Sequence, residues 1–99
     1  MEYLRRRDTV TALLKGELDQ CSAQAVRSEL DDLIGDRRIR HLILDMKELS
    51  FMDSSGIGVI LGRYRTLAQR GGTVSVTHMN AQIARVFALS GMGKFIGVI

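Results

Sequence analysis

Leu49 to Tyr64 read LSFMDSSGIGVILGRY: an apolar run, an acid followed by two hydroxyls, then a helical pattern. Asp53, Ser54 and Ser55 are helix-start chemistry, because their side-chain oxygens accept from first-turn amides that have no partner within the helix. Beyond them Ile57, Ile60, Leu61, Tyr64, Leu67 and Ala68 fall at i, i+3, i+4, i+7, i+10 and i+11, the spacing of one apolar helical face. That face is expected to pack on a sheet and hold the Asp53-Ser54-Ser55 end rigid. A helix N-terminus that presents serine is a place where one anion can be stabilised and sensed.

Upstream, Glu2–Arg7 and Thr9–Lys15 predict two strands joined at Arg7-Asp8, the second closed by Gly16. Gly16-Glu17-Leu18-Asp19 is expected to turn into a helix that starts near Ser22, buries Val26, Leu30, Leu33 and Ile34, and is capped by Gly35. Arg40–Asp45 follows, and its unalternating Leu42-Ile43-Leu44 predicts a central strand covered on both faces. About seven residues of loop are then expected before the Asp53 helix, which should stop at Gly71-Gly72. Thr73–His78 predicts another strand. Asn80 should cap a third helix that turns Ile83, Ala84 and Phe87 inward and stops at Gly91, and Phe95–Ile99 a last strand. The order ββαβαβαβ implies an α/β fold with a small mixed sheet.

Ninety-nine residues, 45% hydrophobic and 25% charged, suit one ordinary globular domain. No apolar run approaches the roughly 18 to 20 residues of a membrane span, and no cleavable leader opens the chain. Cytoplasmic placement is expected, in keeping with a single cysteine, Cys21, which has no internal disulfide partner. The net charge of +3 is gathered in Arg5-Arg6-Arg7 and in Arg37, Arg38 and Arg40. With Asp8 and Asp36 close by and no aromatic side chains between them, these read as solvated turn and edge residues rather than a nucleic-acid surface.

Gly56, Gly58 and Gly62 invite a nucleotide-binding reading. Against it, a dinucleotide loop needs its glycines in a tight strand-to-helix turn and an acid at the end of the next strand. Here Gly58 and Gly62 fall inside the helix, where each costs about 0.5 to 1 kcal/mol relative to alanine, so a close approach by another backbone or protein explains them better. Ser54 and Ser55 lack the G-x-S-x-G elbow and an adjacent base. His41 and His78 read as surface histidines and Cys21 as a structural thiol. No His, Cys and acid cluster has metal spacing, so neither metal nor cofactor is expected. Two readings of Asp53-Ser54-Ser55 remain: a cap worth about 1 kcal/mol, or a cap that is also a phosphorylation switch. The physics does not choose between the two serines.

LSFMDSSGIGVILGRY, with GELD at Gly16–Asp19, Arg40-His41-Leu42, Val86-Phe87 and Ser90-Gly91, resembles the STAS-domain anti-sigma factor antagonists. The likeness runs along nearly the whole chain and is greatest to the sporulation type, which acts on the forespore sigma factor's anti-sigma kinase. The resemblance implies a sheet with helices mainly on one face over residues 1–99. It also implies a partner switch rather than an enzyme. The unphosphorylated protein binds an anti-sigma factor serine kinase carrying ATP or ADP and releases the sigma factor. Phosphorylation of the first serine after the aspartate, here Ser54, ends that binding, and a PP2C-type serine phosphatase reverses it. Asp19, Met52, Asp53, Ser54, Ser55, Gly56, Ile57, Gly58 and Arg63 are the partner-binding residues implied. A STAS module of a general stress system is one alternative, and a nucleotide-binding or hydrolysing domain is another. Gln20-Cys21 stand where the sporulation branch has two histidines. The family usually adds a C-terminal helix after the last strand, so at Ile99 either the domain is cut short or apolar surface is left for a partner or a second copy.

Overall fold

The computed structural model describes residues 1–99. Strands β1 (Tyr3–Arg6), β2 (Thr9–Leu18), β3 (His41–Met52), β4 (Thr73–Thr77) and β5 (Gly97–Val98) form one sheet in that spatial order. β1 is antiparallel to β2 and every other pairing is parallel. Helices α1 (Ala23–Ile34), α2 (Ser54–Ala68) and α3 (Ala81–Ser90) link the parallel strands, and a short 3₁₀ turn at Met92–Lys94 precedes β5.

Registered rows show which face the helices cover. Val10, Leu42 and Val74 stand side by side, as do Ala12, Leu44 and Val76, and all six are buried. The opposite face carries the rows Thr9, His41, Thr73 and Thr11, Ile43, Ser75, which are largely polar and mostly half-buried. The expectation that Leu42-Ile43-Leu44 is covered on both faces is therefore corrected. β3 is central, but Ile43 points to the open face among threonine and serine neighbours that tolerate water.

The chain between Met46 and Met52 is also corrected, from loop to strand. β3 runs to Met52 and β2 to Leu18, past Gly16, whose φ of +77° suits glycine. Between Leu13–Lys15 and Asp45–Glu48, and again between Gly16–Glu17 and Leu49–Phe51, β3 spends one residue more than β2. Each β-bulge shifts the inward phase by one, so burial falls on Leu42, Leu44, Met46, Leu49 and Met52. Spacings of two, two, three and three hide a strand from any search for strict alternation.

Helix ends follow local chemistry. The Asn80 side chain accepts from the Ile83 amide at 2.9 Å, and Gly91 closes α3 with φ +74°. Gly71 takes φ +72° after α2, and beside it Gly72 packs so close to Arg40 that a Cβ would overlap the Arg40 carbonyl. Ser22 opens α1, although its hydroxyl donates to the Glu17 carbonyl at 2.7 Å instead of capping the helix. The buried face of α2 is Gly56, Val59, Ile60, Arg63 and Leu67, turned from the expected one; Ile57, Leu61 and Tyr64 lie along its margin and Ala68 is exposed.

Candidate functional site

The end of β3 delivers the chain into α2 through one residue. Met52 is fully buried, Asp53 is extended at φ −118° and ψ −167°, and Ser54 is already helical. The Asp53 carboxylate accepts from the Ser55 amide at 2.8 Å and its carbonyl from the Gly56 amide at 3.0 Å, while its own N–H donates to the Leu18 carbonyl at 3.3 Å. One carboxylate oxygen and the carbonyl of Asp53 thus set the start of α2, while its N–H ties the joint to β2. The expected seven-residue loop does not exist, so that objection to a phosphate-binding loop falls. The other objections stand, since Gly58 and Gly62 lie within α2 and β4 ends at Thr77.

Ser54 is exposed and Ser55 half-buried, and neither hydroxyl enters the side-chain hydrogen bonds of the domain. Gly58 and Gly62 follow Ser54 at four-residue intervals, and a Cβ on either would meet nothing within 4 Å. The fold makes no demand for glycine there, so together they leave a smooth track beside the serine. Gly56 differs: a Cβ would overlap Met52 Cγ and lie 2.8 Å from its Sδ. Met52 and Gly56 therefore shape the surface from beneath, and Ile57 is half-buried against the core.

Asp19 follows Leu18, so it neighbours Asp53 through the Leu18 carbonyl. Its carboxylate accepts from the amides of Cys21 at 2.9 Å and Ser22 at 3.0 Å, which folds the loop into α1. Arg63 lies apart, 8% exposed on the α1 side of α2. Its Nε stands 3.0 Å from Asp31 Oδ1, close enough for an ion pair but not aligned as a hydrogen bond, and Nε and Nη1 are buried without a hydrogen-bond partner. Burial lowers the Arg63 pKa and Arg27 lowers it further, against the pull of Asp31.

Two residues at the start of α3, its cap Asn80 and Gln82, escape sequence reasoning in part or whole. Asn80, read as a cap, also donates to the carbonyls of Ser50 at 3.1 Å and Leu49 at 3.4 Å. Gln82 receives the Met52 N–H at 3.1 Å and donates to the Met52 carbonyl at 2.9 Å. Nothing in the sequence marks Gln82, since its partner is thirty residues upstream. Two cavities, of about 330 Å³ beside β2 and α1 and about 540 Å³ beside the β3 bulges, reach neither Asp53 nor Ser54. The serine stands on open surface.

A mixed sheet covered on one face by helices, with α2 opening on an exposed serine beside its Asp53 cap, defines a small α/β module. The sequence matches the STAS domain over residues 2–99, and the chain belongs to that family. It is 39% identical to an anti-sigma F factor antagonist of Paenibacillus polymyxa, with 99% of this chain and 84% of the relative covered. It is 28% identical to an anti-sigma-B factor antagonist of Bacillus subtilis, over 86% of this chain and 76% of the relative. Among solved structures, that of the anti-sigma factor antagonist SpoIIAA in its unphosphorylated form superposes with a TM-score of 0.85 at 31% identity, covering 99% of this chain and 86% of that one. SpoIIAA in its phosphorylated form superposes with a TM-score of 0.75 at the same identity, covering 99% and 89%.

Proposed function

We propose that this protein is an anti-sigma factor antagonist of the sporulation type, acting in the cytoplasm as a substrate and not as an enzyme. In its unphosphorylated form it binds an anti-sigma factor serine kinase carrying ATP or ADP and releases the sigma factor. Transfer of the γ-phosphoryl group of ATP to Ser54 Oγ, with loss of the hydroxyl proton, dissolves that complex. A PP2C-type serine phosphatase returns the hydroxyl.

The observation that carries the reading is Ser54 itself, exposed at the first position of α2 with its hydroxyl uncommitted. The likeness to SpoIIAA, whose structure exists in unphosphorylated and phosphorylated forms, supports it. A phosphoserine adds about −1.5 to −2 charges. At a helix N-terminus the dipole and unpaired amides offset that charge, so the fold tolerates it. A partner surface packed against Asp19, Asp53, Ser54, Ser55, Ile57 and Gly58 would not, because Asp53 already places a carboxylate there. Met52 and Gly56 support this surface from below, and Arg63 lies behind it in the seam between α1 and α2.

The higher identity to the sigma-F antagonist favours the sporulation pathway over a general stress system, and the kinase that binds separates the two. Intact mass and peptide mapping after incubation with ATP and the kinase test the switch. One phosphate on Ser54 is expected, with Ser54→Ala bound constitutively and Ser54→Asp bound weakly at nearly parental thermal stability. If both variants bind like the parent, Ser54 is not the switch. Steady ATP hydrolysis by the protein alone would establish the nucleotide-hydrolysing alternative.

A further inference from the structure

We propose that Gln82 is a positioning residue for the phosphoacceptor Ser54, a role that rests on the switch reading above. β4 pairs with β3 only as far as Asp45, so the last seven residues of β3 have no strand on that side. The first turn of α3 takes the strand's place there. Gln82 offers Met52 one acceptor and one donor, at 3.1 and 2.9 Å, which is the pairing a neighbouring strand residue would offer. Asn80 extends the substitution to Ser50 and Leu49.

The consequence lies in the peptide unit between Met52 and Asp53. Its carbonyl is held by Gln82 Nε2, and its N–H is held from the opposite side by the Leu18 carbonyl. A peptide plane gripped on both edges fixes the direction in which Asp53 leaves the sheet, and Asp53 in turn caps α2 through Ser55. Ser54 makes no side-chain hydrogen bond of its own to orient it, so its position depends on this plane. Gln82 is the one side chain that holds the plane, and it reaches in from a helix that contributes nothing else to the serine.

The test uses the full chain, the cognate kinase and ATP, with Gln82→Ala, Gln82→Glu and, as a destabilised control far from the site, Ile34→Val. Gln82→Ala is expected to lower the kcat of phosphorylation by roughly tenfold with little change in KM, because the binding surface stays while the hydroxyl loses its alignment. Gln82→Glu keeps the acceptor but loses the donor to the Met52 carbonyl, and is expected to fall in kcat as well. Ile34→Val should lose thermal stability and keep the parental kcat. Amide exchange at Met52, which needs no kinase, should accelerate in Gln82→Ala alone. Parental kcat in Gln82→Ala, or a loss shared equally by Ile34→Val, overturns the positioning role and leaves the switch intact. A parent protein that takes up no phosphate overturns the switch and the role together, while Met52 exchange still reports whether the clamp exists.

Discussion

Gly56 and Gly58 stand two positions apart in α2 and answer to different constraints. A Cβ on Gly56 would overlap Met52 and lie 3.0 Å from Leu18 Cγ, so Gly56→Ala must push a fully buried methionine aside. The expected loss is about 1 to 3 kcal/mol in a denaturant titration, as for other overpacked cores. Gly58 faces open space, and Gly58→Ala is expected to raise stability by about 0.5 to 1 kcal/mol through the helix-interior preference. The same methyl group would stand on the track that runs from Ser54, so binding to the kinase should weaken as stability rises. If Gly58→Ala stabilises the protein and leaves kinase affinity unchanged, the track is not part of the contact. The sequence explains Gly58, with Gly62, by a close approach and gives Gly56 no steric reason; only the packing separates the glycine the core needs from the one it does not.

At the scale of elements, the joint between α1 and α2 turns on a charge in an apolar seam. Arg63 is flanked on its own face by Val59, Ile60 and Leu67, and its counter-charge Asp31 is half exposed. Removing an ion from such a seam relieves its desolvation, so Arg63→Met is expected to be neutral or to stabilise by about 1 to 4 kcal/mol. Asp31→Ala leaves the guanidinium without its partner and should destabilise, by about 1 kcal/mol or less because water screens the exposed carboxylate. Thermal melts of the two variants read the opposite signs; a clear loss in Arg63→Met would show that the pair itself holds α2 in place. The apolar period of α2 is visible in the sequence, but it favours a stripe through Ile57 and Tyr64. A stripe through Gly56 and Arg63 contains one residue with no side chain and one with a permanent charge, and no hydrophobicity pattern selects it.

Across the whole molecule the charges sort to the two ends of β3. Arg6, Arg7, Arg37, Arg38 and Arg40 gather where the parallel strands begin, and Asp36 binds Arg5 at 3.0 Å and Arg38 at 2.8 Å. The hydrogen bonds from Arg38, followed by that from Arg5, hold the half-buried Asp36 carboxyl far below its ordinary range. Asp8 ties the first hairpin to β3 through its carbonyl, which accepts from Arg40 and His41. The serine lies at the other end, so the arginines do not border the proposed kinase surface. Between the ends, Asp45 joins the middle of β3 to His78, the residue that follows β4 with φ +60°. Burial raises the Asp45 carboxyl, but the Lys47 amide, the His78 ring at 3.0 Å and the Lys47 charge outweigh it and hold the group below its ordinary 3.8. A depressed carboxyl contributes stability above its unfolded value and loses it as pH falls toward the folded one. The melting-temperature gap between the parent and Asp45→Asn should therefore shrink from about pH 6 to about pH 3. A gap that stays constant would place the contribution in packing rather than in charge.

The element order, the helix starts at Asp53 and Asn80, and the helix stops at Gly71 and Gly91 were determined by the sequence by itself. The starts and stops rest on a hydrogen bond or backbone angle set within about three residues, and the order on periodicity within each segment, so the local chain carries the cause. The resemblance of residues 49–64 added the family and the serine to watch. Three features belong to the tertiary structure alone: the full length of β3, the face α2 buries, and the grip of Gln82 on Met52. The bulges exist because β2 supplies hydrogen bonds from far upstream, and they erase the alternation that would betray the strand. Arg63 is inward because the packing of α2 beside α1 turns that face of the helix in, next to Asp31, and Gln82 matters because β4 stops short at Thr77. Each is a contact between distant residues, and a single chain read in order has no register that records which of them will meet.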